Sequence, residues 1–91
     1  MENQVFYKGY YECVKKFTII KEDSKNNENI VKVTYFGNDF PENLEMLSNS
    51  DLKVLIKYSF TTFEGALQQR ENLVEKELER IKKVLKSCVE V

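Results

Sequence analysis

Residues 61–88 read TTFEGALQQRENLVEKELERIKKVLKSC, and this stretch decides most of the fold. Its apolar residues recur at alternating steps of three and four, the spacing of one face of an α-helix. The stripe consists of Leu67, Val74, Leu78, Ile81, Leu85 and Cys88, with Glu71 in the one missing place. Glutamates are concentrated early and lysines late, as the helix macrodipole favours. We therefore predict a long helix from a capping box at Thr61–Glu64 to about Ser87.

The N-terminal part of the chain has the period-two pattern of β-strands. Residues 11–20 and 30–36 alternate apolar and polar side chains, and residues 5–8 are also strand-like. Gly9 marks a bulge or a bend. Residues 22–29 are charges and turn formers, which predicts an exposed hairpin loop.

The middle of the chain predicts a short helix and a further strand. Asp39, Pro41 and Glu42 resemble a helix start, so we expect residues 41–48 to form one or two turns with Leu44 and Leu47 buried. Residues 52–60 alternate from Leu52 to Phe60 and predict a strand with one face in the core.

These elements define one α+β domain spanning residues 1–91. We expect an antiparallel sheet of three to four strands with the long helix packed on one face, in the order β-β-(short α)-β-α. Leu78 and Ile81 should then anchor the helix on the sheet. The same stripe also matches a coiled-coil seam, which predicts a homodimer through Val74, Leu78, Ile81 and Leu85.

Composition argues against several chemistries. The 91 residues include 14 basic and 15 acidic side chains and no histidine, so the commonest general base and metal ligand is missing. Single glycines build no phosphate-binding loop. We expect no enzyme activity, no catalytic residue, no metal and no cofactor. No apolar run is long enough to cross a bilayer, and the start does not resemble a secretory signal, so a cytoplasmic or host-cytoplasmic location is expected.

The two cysteines, Cys13 and Cys88, lie at opposite ends of the chain on predicted apolar faces. In a reducing compartment we expect both to be reduced and buried.

Two further surfaces are candidates for binding. Aromatic residues interleaved with lysines predict stacking on nucleic acid, or alternatively a cap on the core, and these residues are Tyr7, Lys8, Tyr10, Tyr11, Lys15 and Lys16. Between Lys32 and Lys53 all charges are acidic, which predicts contact with a basic protein surface or alternatively a solvated loop. The acidic residues are Asp39, Glu42, Glu45 and Asp51.

The favoured function is a small non-enzymatic module that binds or inhibits another protein. Small phage or mobile-element proteins that block host defence proteins share this size and composition. The alternatives are a nucleic-acid-binding protein that uses the aromatic, lysine-bearing sheet and a homo-oligomer that binds a small ligand between subunits. No membrane partner is expected.

Overall fold

The computed structural model describes the backbone of residues 4–89 and the side chains of residues 4–86. The elements in chain order are β1 (Val5–Gly9), β2 (Val14–Asp23), β3 (Glu28–Phe36), β4 (Asn43–Leu47), α1 (Asn49–Lys57) and α2 (Phe63–Val89). The four strands form one antiparallel sheet in the order β1-β2-β3-β4. Within residues 4–89, neither helix has the length and apolar character needed to span a membrane.

This arrangement confirms the predicted α+β fold, with an antiparallel sheet, a short helix and a long C-terminal helix. Two local assignments were wrong, because the short helix and the last strand exchange places. Residues predicted as the helix 41–48 contain β4, and residues predicted as the strand 52–60 contain most of α1.

The physical reason for the exchange lies at Ser48. Its hydroxyl accepts a hydrogen bond from the Asp51 amide over 3.2 Å, which caps and starts α1. Leu52, Leu55 and Ile56 then follow at the spacing of one helix face and pack on the core. β4 consists largely of good helix formers, but pairing with β3 overrides that propensity.

The core lies between the sheet and α1. Phe6 and Phe17 are cross-strand partners whose rings stack with centroids 5.3 Å apart. The buried cluster comprises Phe6, Phe17, Ile19, Val31, Val33 and Leu52. We call this side of the sheet the α1 face. The opposite side, which carries α2, is the α2 face.

A buried asparagine joins the hairpin, β4 and α1. The predicted loop 22–29 is shorter than expected, since β2 extends to Asp23 and β3 begins at Glu28. Asn29 is 2 % exposed, and its amide nitrogen donates to the Leu47 carbonyl and the Asn49 side chain. Its amide oxygen accepts from the Asp23 backbone, so this buried polar group is well satisfied.

Cys13 is buried beside β2, which confirms that part of the expectation, and its reduced state stays a prediction. The expectation for Cys88 concerns a side chain outside the described ones.

Candidate protein interface on the long helix

The first two turns of α2 are fixed to the sheet by close contacts. The Thr62 hydroxyl accepts from the Gly65 amide over 3.1 Å, so the cap is one residue later than the predicted Thr61. The Phe63 ring contacts the edges of Tyr7 and Phe36 on the α2 face, with centroids 6.0 and 5.4 Å apart.

Gly9 brings β1 against the α2 backbone. Its amide donates to the Gln69 side chain over 2.9 Å. A Cβ at position 9 would lie 2.2 Å from the Ala66 carbonyl oxygen and 2.7 Å from the Arg70 amide nitrogen. Glycine therefore permits a contact that any other residue would obstruct.

Beyond Arg70 the helix leaves the sheet. No side chain from residue 71 to residue 86 is buried, and Val74 and Glu77 alone are half-buried there. The domain measures 60 × 22 × 22 Å, as expected when a helix of 27 residues, about 40 Å long at 1.5 Å per residue, projects past a small sheet. We call residues 71–86 the overhang.

The overhang exposes a continuous apolar side. Leu78, Ile81 and Leu85 are 49 %, 41 % and 60 % exposed. The prediction that Leu78 and Ile81 anchor α2 on the sheet was therefore wrong, because the sheet ends before the helix reaches them.

The apolar side of the overhang continues the side of α2 that packs on the sheet. Val84 stands 18 residues after Ala66, which is five full turns at 3.6 residues per turn. Leu73 and Val84 are also exposed and widen the stripe. The helix thus exposes large apolar side chains on the side that packs on the sheet at its start.

Charged residues cover most of the rest of the overhang, and Glu77 lies at the edge of the apolar side, seven residues before Val84. Glu77 and Arg80 form an ion pair one turn apart. The hydrogen bond from Arg80 holds the pKa of the Glu77 carboxyl below its usual value and raises the pKa of Arg80.

The residues predicted for nucleic acid lie on two sides of the sheet. Lys8 and Lys15 are cross-strand neighbours on the α1 face, and their ammonium groups lie 5.1 and 4.6 Å from the Tyr10 ring centroid. Tyr7 and Lys16 are cross-strand neighbours on the α2 face. Among these described residues, the lysines and tyrosines do not form one stacking platform.

Tyr10 packs against the core at a groove between α1 and the sheet. Burial, with a smaller contribution from the nearby Glu45 carboxylate, raises the pKa of the Tyr10 hydroxyl. Tyr11 is in the β1–β2 connection and is exposed. The structure therefore places Tyr10 as a cap on the core and leaves Tyr11 at the surface.

The acidic segment does not form a single surface either. Glu42 approaches the Lys32 ammonium to 3.9 Å, and Asp39 is exposed before β4. Glu45 and Asp51 line the groove of about 290 Å³ that also contains two lysines. Neighbouring lysines thus offset part of the acidic charge.

A second apolar patch was missed by the sequence reasoning. Leu44 and Met46 of β4 are 64 % and 67 % exposed, although Leu44 was expected in the core. Both lie on the α2 face, where Met46 is opposite Ile30. No sequence signal marks this patch, because assigning the segment to a helix hides its alternation.

Comparison of the chain with protein-family models, with curated proteins and with solved structures finds no match in any of the three.

Proposed function

We propose that the protein is a non-enzymatic protein-binding module whose contact surface is the apolar side of the overhang. One observation carries the proposal: Leu78, Ile81 and Leu85 are large, apolar and exposed on one side of a helix that leaves its own sheet. Alternating steps of three and four suit a second helix, which would fill the stripe by knobs-into-holes packing.

The sheet acts as the scaffold in this proposal. Its docking contacts at Gly9 and Phe63 hold the base of α2, so the overhang projects in a fixed direction. A helix held at its base loses less freedom on binding than a free peptide, which favours association.

The acidic segment remains a candidate for a basic protein surface, and the aromatic strand a candidate for nucleic acid. Both have weaker support than the overhang, because their residues are divided between different sides of the domain. The roles of inhibitor, phage protein and small-ligand binder stay predictions.

Affinity capture with matched variants tests the proposal. The native chain, L78E/L85E and the control K76E/K83E are immobilised and exposed to lysate of the source cells. Both variants add two acidic groups, and the control, which lies on the polar side of α2, also removes two lysines and so changes the net charge more. Each substitution is exposed, so both double variants should unfold within about 1 kcal/mol of the native chain.

We expect the native chain and the control to retain the same polypeptides, which L78E/L85E should lose. Retention of the same set by all three proteins, with helicity unchanged by circular dichroism, would contradict the proposal. Added labelled copies of the chain itself report self-association in the same experiment.

A further inference from the structure

We infer that the partner of the overhang is a second copy of this chain, bound antiparallel. The inference rests on the proposed function and adds the identity and direction of the partner. Length, layer composition and charge support it.

The length of the free helix fits antiparallel pairing. The described side chains after Arg70 are exposed or half-buried, so the overhang of residues 71–86 is about 24 Å long at 1.5 Å per residue. A second copy running in the opposite direction would start beside the end of the first helix. It would end where the first sheet begins. Each helix would then fill the space beside the other over the whole overhang.

The apolar layers match when the helices cross near residues 79–80. Heptad positions a and d share a layer in an antiparallel pair. Leu78 then meets Ile81 of the second copy, and Val74 meets Leu85 of the second copy. Two-fold symmetry repeats both layers, so each of the four seam residues packs in the dimer once from each copy.

Charge complementarity fixes the direction. In this register Glu75 flanks the seam opposite Lys82 of the second copy, and symmetry makes two such pairs. More generally, the acidic first half of the overhang lies along the basic second half of the second copy. Antiparallel helices also align their macrodipoles favourably.

Parallel pairing is less favourable at one layer. It would place Glu71 at a seam position directly against Glu71 of the second copy, and like charges at a helix contact are destabilising. Parallel pairing would instead match Arg70 with Glu75 and Glu77 with Lys82 of the second copy. These different charge pairs allow the two directions to be separated by experiment.

The seam is short, so we expect a concentration-dependent dimer with a Kd in the micromolar range or weaker. Analytical ultracentrifugation of the full chain from about 1 µM to about 1 mM, under reducing conditions and at low salt, measures it. E75K and K82E each convert two attractive pairs into two repulsive ones and should raise the Kd about 10-fold. The double variant E75K/K82E restores opposite charges only in the antiparallel register, and its Kd should return to within about 3-fold of the native value.

K83E is the matched control, since it changes the same residue type on the polar side of α2 and should leave the Kd within about 3-fold. A native chain that stays monomeric throughout the range would overturn the inference. So would a double variant that dimerises as weakly as the single ones or more weakly, and parallel pairing predicts the weaker result because both kinds of charge pair would then be repulsive. If the chain is monomeric yet L78E/L85E still loses a captured protein, the second copy is wrong and the proposed function stands. If L78E/L85E retains the native set, the proposed function fails as well.

Discussion

Gly9 lies where β1 passes directly under α2, and replacing it by alanine tests how the helix is held. The added Cβ would lie 2.2 Å from the Ala66 carbonyl oxygen and 2.7 Å from the Arg70 amide nitrogen. Both atoms belong to the helix backbone, so no side chain can rotate away to make room. The whole first part of α2 must shift, and the hydrogen bond from Gly9 to Gln69 must lengthen or break.

The expected cost follows from these two effects. Overpacking typically costs about 1–3 kcal/mol, and loss of a hydrogen bond adds about 1 kcal/mol. Gly9→Ala should therefore reduce the free energy of unfolding by about 2–4 kcal/mol, a large share of the 5–15 kcal/mol typical of a domain. At about 4–8 °C per kcal/mol for a domain of this size, the Tm should fall by at least about 8 °C.

Gly65→Ala is the matched control. Its Cβ would meet the Phe60 ring, with the nearest atom at 2.9 Å, and this ring is 39 % exposed and can move. Alanine also gains about 0.5–1 kcal/mol of helix propensity over glycine. The control should therefore stay within about 1 kcal/mol of the native chain in urea unfolding. Equal midpoints for Gly9→Ala and the native chain would refute the close docking of β1 under α2.

Three further substitutions test the core, the asparagine network and the groove. Leu52→Ala should lower the free energy of unfolding by about 2–4 kcal/mol, measured in urea. The control Val54→Ala, at an exposed neighbour, should lower it by less than about 1 kcal/mol. Equal losses would contradict the packing of α1. Asn29→Ala leaves the Leu47 carbonyl without its buried donor and should cost about 1–3 kcal/mol, whereas an unchanged melting curve would show that the network does not stabilise the fold. Burial raises the pKa of Tyr10 above the ordinary value near 10, so its contribution to the free energy of unfolding should be complete below about pH 10 and lost as the pH rises through the folded-state pKa. Tyr10→Phe should therefore flatten the decline in stability above about pH 10, and an identical decline in both proteins would contradict the burial of this hydroxyl.

The class of the fold could be predicted from the sequence because its strongest signals are local. β3 alternates along most of its length, β2 alternates around Phe17 and Ile19, and α2 combines a stripe with a matching charge gradient. These signals depend on neighbouring residues alone, so tertiary contacts were not needed to interpret them.

The secondary-structure prediction for the middle of the chain was wrong because two periodicities coincide there. Residues 52–60 alternate at period two, yet Leu52, Leu55 and Ile56 also satisfy the helical spacing. The serine at position 48, followed three residues later by Asp51, was the available signal for a helix start. For β4 there was no such local signal, because this segment becomes a strand through its pairing with β3.

The sequence predicts that the apolar residues of the candidate interface share one helix face, but it does not predict that this face is exposed. Sequence shows that Leu78, Ile81 and Leu85 share a helix face, and a sheet or a second helix can cover such a face equally well. How far the sheet reaches along α2 decides between them. That distance depends on where Gly9 meets Ala66, which no local pattern encodes.

The strand order has a kinetic consequence. Every strand pairs with its neighbour in the chain, so the meander can form by successive short loop closures, which are fast. Docking of α2 is different, because the hydrogen bond from Gly9 to Gln69 spans 60 positions and joins the first element to the last. We expect the meander to form early and the docking of α2 to complete after the rate-limiting step. Weakening that contact should then shorten the lifetime of the folded state while leaving the rate at which it forms nearly unchanged.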